Sequence, residues 1–311
     1  MLLTVLYLIA GLLLLLAGGN YLVEGGVSIA TRLKMSPLLI GMTIVAFGTS
    51  APELLVSLKS AVISNSGIAL GNVIGSNIVN IGFILGLTAI ISPIITQRKS
   101  ITYNGLVMIA SVCLFMLFAC TRESLSRTEG FVMFAGLVAF LVVSVFIEKK
   151  GHRQEESKSA QTDMPIWIAC FVVVGSCFAL SYGADLLIDS ATKLAKAMNV
   201  SDRVIGLTIV SVGTSLPELA ASLIAAIKKQ MDISIGNIIG SNIFNTLCVL
   251  GVSSAVAPIQ VDWSIYLKDS LYMAGFSIML VAFTIKSGKL GRLGGLILLA
   301  AYVYYTKTLF F

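Results

Sequence analysis

The sequence predicts an all-α membrane protein of ten transmembrane helices, arranged as two inverted-topology five-helix repeats with a broken helix in each. Three observations lead there. Of the 311 residues, 57% are hydrophobic and only 12% are charged, whereas a soluble domain is about a quarter charged. Apolar runs of about 20 residues, long enough to span a bilayer, recur along the whole chain. One string with polar interruptions, "AFGTSAPELL" at residues 46–55, returns almost unchanged as "SVGTSLPELA" at 211–220.

The apolar runs place spans at roughly 2–24, 36–62, 68–92, 102–120, 129–148, 165–189, 203–227, 233–257, 264–285 and 291–309. None alternates as a membrane barrel strand does, so each reads as a helix. The first, "LLTVLYLIAGLLLLLAGG", has no basic stretch before it and no clear cleavage site after it, which predicts a retained span. Residues 148–164 form the longest polar connection and hold His152, the only histidine. Their composition reads as a flexible linker. It separates a first five-helix repeat, 1–147, from a second, 165–311.

The two repeats register without a gap. Gly48, Thr49, Ser50, Pro52 and Glu53 match Gly213, Thr214, Ser215, Pro217 and Glu218, each 165 residues later. Gly71, Asn72, Gly75, Ser76, Asn77 and Asn80 match Gly236, Asn237, Gly240, Ser241, Asn242 and Asn245 at the same offset. Helix packing selects small residues but does not reproduce such a register, so the chain contains an internal duplication. Five spans per copy is an odd number, so the second copy enters the membrane from the opposite side, a plan shared by many secondary transporters. With both termini outside, Arg32, Lys34, Arg98, Lys99, Lys228, Lys229 and the basic residues of the linker fall inside, as the bias of Lys and Arg toward the cytoplasm requires. The chain is therefore expected in the cell membrane as a multi-pass protein with extracellular termini.

Composition also excludes. The five cysteines lie in apolar segments with no CxxC pair, so zinc or haem chemistry is not expected. The net charge of +6 is dispersed, with no aromatic platform for nucleic acid. No cofactor and no obligate protein partner is expected, only membrane lipid and small ions.

The repeated strings carry the chemistry. Pro52 lacks a backbone donor and its ring clashes with the carbonyl of Gly48, so the helix should kink or unwind across 47–52; Pro217 and Gly213 repeat the device. Backbone freed at such depth is tolerated where it is packed in protein or lines a cavity, and its carbonyls are hard oxygen ligands. Glu53 and Glu218 each cost about 2.5–3.5 kcal/mol near the bilayer centre. Between Val204 and Ile227 no other charge occurs, and between Pro37 and Pro93 the only one besides Glu53 is Lys59. The partner of these acids is then a cation from solution or a proton. Gly71 and Gly75, like Gly236 and Gly240, form GxxxG faces for close helix approach. Ser76, Asn77 and Asn80, with Ser241, Asn242 and Asn245, add amide and hydroxyl oxygens. Such a set suits dehydrated Ca²⁺ or several Na⁺. The hydroxyls of Thr49, Ser50, Thr214 and Ser215 serve equally well to satisfy the broken helices or to ligate an ion.

On the strings "GTSAPELLVS…GNVIGSNIVN" and "GTSLPELAAS…GNIIGSNIFN" the sequence resembles the sodium/calcium exchanger family, over the whole ten-span plan. The resemblance implies that Glu53 and Glu218 are central Ca²⁺ ligands that also take part in Na⁺ binding. It implies that Thr49, Thr214, Ser50, Ser215, Ser76, Ser241, Asn80 and Asn245 complete the ion sites, with backbone carbonyls near Ala46 and Ser211. It further implies that spans one and six slide as a gate, and that three Na⁺ exchange for one Ca²⁺. Many potassium-dependent members carry Asp where this chain has Asn245, so K⁺-independent transport is expected. Three alternatives compete: Ca²⁺/H⁺ antiport, a passive cation channel, and an intramembrane enzyme, for which no triad or Asp pair is present.

Overall fold

A computed structural model describes residues 2–151, 164–198 and 211–310. Helix α1 (Leu2–Leu33) is followed by a broken segment: α2 (Pro37–Ile40), a π-helical turn at Gly41–Val45, α3 (Ala46–Thr49) and α4 (Ala51–Val62). Then α5 (Ser66–Ile78) runs through a π-helical stretch, Val79–Leu85, into α6 (Gly86–Ile91). Helices α7 (Arg98–Arg122) and α8 (Arg127–Gly151) close the first half. The second half holds α9 (Ile166–Ala197), α10 (Ser211–Gly213), α11 (Leu216–Ile227) and α12 (Met231–Phe244). A π-helical stretch at Asn245–Leu250 leads into α13 (Gly251–Val256), followed by α14 (Trp263–Thr284) and α15 (Arg292–Phe310).

Among the described residues, seven helices are long and apolar enough to cross a membrane. The pair Pro37–Thr49 and Ala51–Val62, bent by 47°, makes an eighth crossing. The protein is therefore a helical membrane protein. Residues 203–210 of the seventh expected span, and the linker from His152 to residue 163, lie outside the described residues.

Local chemistry sets the helix ends. Ser36 accepts the amide of Leu39 ahead of Pro37, which occupies the first helical position where its missing donor costs nothing. Ser126 and Glu129 cap α8 reciprocally, each taking the other's backbone amide at 3.3 and 2.7 Å. Ser64 and Lys229, one offset apart, both take left-handed backbone (φ 59° and 61°) as the chain turns into the next helix.

Three features depart from the expected spans. Helix α1 runs to Leu33 rather than ending near residue 24. Polar residues do not stop it, because they find partners: Glu24 pairs with Lys228 at 2.8 Å, and Arg32 Nε donates to the Met164 carbonyl at 2.7 Å. Helix α8 likewise continues through Gly151, into the stretch read as linker. And the protein is not wholly helical: two ribbons of two residues per strand pair β1 (Ile94–Ile95) with β4 (Lys289–Leu290), and β2 (Ser124–Leu125) with β3 (Ile259–Gln260).

Burial separates an inner from an outer set. The most apolar window of Met231–Val256 is 94% buried and that of Ser66–Ile91 is 72% buried, against 22% for α1 and 28% for α9. Contacts between the halves exchange under the repeat offset. Ile94 faces Leu290 while Leu125 faces Ile259. Gly86 meets Gly295, and Gly130 meets Gly251, each backbone against backbone. A Cβ on Gly236 or Gly240 would sit 2.5–2.6 Å from the carbonyls of Leu38 and Met42, so this GxxxG face does receive a helix. The counterparts that the offset assigns to Gly71 and Gly75 fall largely at 203–210.

Replacing Gly130 by Val should be among the costliest small changes, since a Cβ would come within 2.5 Å of the Ala255 amide and the Gly251 carbonyl. A melting curve of the purified variant is expected to show a loss of about 1–3 kcal/mol or more. Gly175→Val, with open space at the Cβ position, should melt like the parent.

Candidate ion-binding site

Both glutamates occupy the first turn of a helix that starts again after a break. Ser50 (φ −85°, ψ 3°) ends α3, and Pro52 and Glu53 open α4. Ser215 (φ −91°, ψ 10°) likewise precedes α11, opened by Leu216, Pro217 and Glu218. Proline is harmless in a first turn, where amides have no intrahelical acceptor. The same turn carries the positive end of the helix dipole, which favours a carboxylate by about 0.3–1 kcal/mol. The break thus delivers a helix N-terminus and an acid to the protein's interior together.

Glu53 and Glu218 are fully buried, and Thr49, Ser50, Ser76, Asn80, Ser215, Ser241 and Asn245 are buried with them. The two carboxylates lie within electrostatic reach of each other. The ion pair seen among the described residues, Glu24–Lys228, is elsewhere, so no ammonium or guanidinium neutralises either acid there. Thr214 is half-buried beside its buried neighbour Ser215. Ser211 opens α10.

The hydrogen bonds are unequal in the two halves. Ser50 Oγ donates to Glu218 Oε1 at 3.2 Å, and Ser241 Oγ donates to the same oxygen at 3.4 Å. Thr49 Oγ1 donates to Asn237 Oδ1 at 3.1 Å and lies 3.3 Å from Ser241 Oγ. The mirrored hydroxyls of Ser215 and Ser76 are buried without a partner, as are both carboxylate oxygens of Glu53. Glu218 Oε2, Asn77 Oδ1, Asn80 Oδ1 and both amide atoms of Asn245 share that condition. A buried polar atom without a partner costs about 1–3 kcal/mol, so a cluster of them around two acids calls for a cationic occupant. The oxygens are hard donors of the kind Na⁺ and Ca²⁺ take. No group of three His, Cys, Asp or Glu is found among the described residues, in keeping with a donor set of two acids plus amides and hydroxyls.

One expected ligand is differently engaged. The carbonyl of Ala46 accepts the Ser50 amide at 2.9 Å and Thr49 Oγ1 at 3.3 Å. To reach an ion it must give up the threonine, because α3 remains helical up to the break.

The structure also adds residues that the expected set left without a role. At the crossing of the halves, Asn77 Nδ2 donates to Thr246 Oγ1 at 3.0 Å and Asn242 Nδ2 donates to the Asn77 carbonyl at 3.2 Å. Asn80 Nδ2 reaches Asn242 Oδ1 at 3.1 Å. Thr246 corresponds to Ile81 in the first copy, so comparing the copies passes over it. Ser57 and Ser222 lie one helical turn after each glutamate at matching positions, a signal present in the repeated strings.

Comparisons with known proteins bear on the chain as a whole. A family model for sodium/calcium exchanger protein matches residues 3–146 and 168–311. The chain is 39% identical over 318 residues to CaxA of Alkalimonas amylolytica, covering 100% of this chain and 99% of that protein. It is 32% identical to the sodium/calcium exchanger MaX1 of Methanosarcina acetivorans, over 98% of each. A solved structure of the sodium-calcium exchanger NCX_Mj, soaked with 2.5 mM Na⁺ and 0.1 mM Ca²⁺, aligns with a TM-score of 0.86. The identity to it is 34%, over 99% of both chains.

Because Glu53 has no hydrogen-bond donor, Glu53→Gln should raise the melting temperature in buffer free of Na⁺ and Ca²⁺. The expected gain is on the order of 1–3 kcal/mol and comes from removing a buried charge close to a second acid, since the amide keeps polar atoms of its own to satisfy. A variant that melts below the parent without ions would contradict this account of the site.

Proposed function

The chain belongs to the sodium/calcium exchanger family, and from that premise we propose that it is a secondary antiporter exchanging Na⁺ for Ca²⁺ across the cell membrane. One observation carries the proposal: two buried acids within electrostatic reach of each other, with no basic partner among the described residues, are accompanied by a set of buried, unpartnered oxygens. One Ca²⁺ neutralises the two carboxylates and can draw six to eight oxygens from glutamate, serine, threonine and asparagine. Several Na⁺ ions would divide the same oxygens among subsites. Glu53 and Glu218 are the central ligands in this reading. Thr49, Thr214, Ser50, Ser215, Ser76, Ser241, Asn80, Asn245 and the carbonyls of Ala46 and Ser211 complete the set. An exchange of three Na⁺ for one Ca²⁺ moves one net charge per cycle. With amides at both Asn80 and Asn245, K⁺ has no extra carboxylate to hold it and is not required. This chemistry is transport, not catalysis.

The contacts that exchange under the repeat offset support two inverted five-helix repeats, ten spans in all, related by a two-fold axis in the membrane plane. On that plan the termini are extracellular and the Glu24–Lys228 pair faces the cytoplasm. The packing of α1 and α9 supports alternating access. Between themselves they are symmetric: Gly11 meets Gly183, and the offset counterpart, Gly18 against Ser176, is also present. Against the rest they are not. Gly19 of α1 packs on Ala220 and Ile224 of α11, while Gly48 and Gly213 both abut α9, at Cys177 and Ile188. A self-consistent pair seated off-centre on a two-fold body is the geometry of a gate that slides to an equivalent seat.

The test is ⁴⁵Ca²⁺ uptake into vesicles preloaded with Na⁺. Glu53→Gln and Glu218→Gln should each lower it by about 100-fold or more, since losing a close charge interaction of about 3 kcal/mol costs two decades. Full activity in both variants would overturn the site, and Ca²⁺ movement driven by a pH gradient without Na⁺ would overturn Na⁺ coupling. Replacing K⁺ by choline should leave the rate unchanged.

A further inference from the structure

We propose that Asn72 and Asn237 are positioning residues that brace the two glutamate-bearing helix starts. The inference rests on the exchange reading above and adds side chains to which that reading gives no task. Each asparagine lies on the helix after the broken one. Asn72 Nδ2 donates to the main-chain carbonyl of Glu53 at 3.1 Å and to Ser57 Oγ at 2.9 Å. Asn237 Nδ2 donates to the carbonyl of Glu218 at 3.5 Å and to Ser222 Oγ at 2.9 Å. The same fork is therefore built twice, and in each copy it spends both protons of the amide. In the first copy the direction is fixed independently. Ser57 Oγ donates its own proton to the Ala69 carbonyl at 3.4 Å, which leaves it an acceptor for Asn72.

The fork acts where the backbone is least restrained. The turn holding each glutamate follows a break, and proline deprives it of a donor. Glu53 has no side-chain hydrogen bond to hold its carboxylate, so its oxygens are placed only by the packing around the side chain and by the backbone that carries it. A misplacement of about 1 Å is enough to spoil a constellation that must close on an ion. Asn237 does more than its counterpart: its Oδ1 accepts Thr49 Oγ1 at 3.1 Å, joining the break of one half to the glutamate helix of the other. Thr214 donates no equivalent bond to Asn72.

Neither asparagine needs to touch the ion, so a brace is distinguished from a ligand and from plain packing by its kinetic signature. In vesicles, Asn237→Ala should raise the Ca²⁺ concentration for half-maximal uptake by about tenfold, with the maximal rate within about twofold, as expected when its three side-chain hydrogen bonds, each of modest net worth, are lost. Ser57→Ala and Ser222→Ala keep the amide and remove its outer anchor; each should raise the half-saturating concentration by about threefold. Ser57→Thr and Ser222→Thr, which retain the hydroxyl, should restore it. If Asn237→Ala cannot be purified folded, the serine variants decide alone. Unchanged half-saturation in the folded variants would overturn the brace, as would a fall in maximal rate that merely tracks the amount of folded protein. If the unaltered chain moves no Ca²⁺, the exchange reading fails. The Ca²⁺ concentration that half-maximally raises the melting temperature then judges the brace by the same criteria. An unaltered chain that neither moves nor binds Ca²⁺ overturns both.

Discussion

A carboxylate held within a lipid bilayer has to be surrounded by protein, and two of them facing one another demand more than enclosure. Hydrocarbon offers them nothing, and lysine or arginine beside them would leave no room for a transported cation. The chain answers with neutral dipoles: helix starts, serine and threonine hydroxyls, and asparagine amides. The breaks at Ser50 and Ser215, the inward placement of α5 and α12, and the outward placement of α1 and α9 follow from building such a lining from two copies of one motif.

Copying the motif does not make the two acids equivalent. Glu218 has hydroxyl donors from Ser50 and Ser241 on one oxygen, while Glu53 has none and the hydroxyls that would mirror them stand unused. The outer helices show the same imbalance: α1 packs on α11 at Gly19, whereas α9 packs on the breaks themselves, at Gly48 and Gly213. An inverted duplication supplies two seats of equal design. In the structure only the Glu218 seat has its hydroxyl donors engaged, while those of the Glu53 seat stand free.

Much of this was legible in the residues. The repeat offset and the proline breaks follow from Gly48–Glu53 and Gly213–Glu218, because proline's geometry and the cost of an intramembrane acid hold in any context. The π-helical stretches at Gly41–Val45, Val79–Leu85 and Asn245–Leu250 were not legible. Their sequences mix apolar residues with glycine, threonine and asparagine, and nothing in that mixture singles out the wider turn. The length of α1 was hidden for a related reason: Glu24 and Arg32 look like the end of a span until Lys228 and the Met164 carbonyl are seen beside them. The forked bonds of Asn72 and Asn237 stood in plain view within the repeated strings, but only coordinates reveal which acceptors lie opposite an amide.

The contact between Glu24 and Lys228 has no twin, since the matching positions hold Asp189 and Ile63. A transporter assembled from interchangeable halves would otherwise rest with no preference for either face. A partly exposed ion pair contributes up to about 1 kcal/mol and weakens as salt rises. That is enough to favour an arrangement that keeps the contact over one that breaks it by a factor of up to about five. Ionic strength thus tunes a contact that one half of the molecule alone possesses, through one lysine that the duplication did not copy.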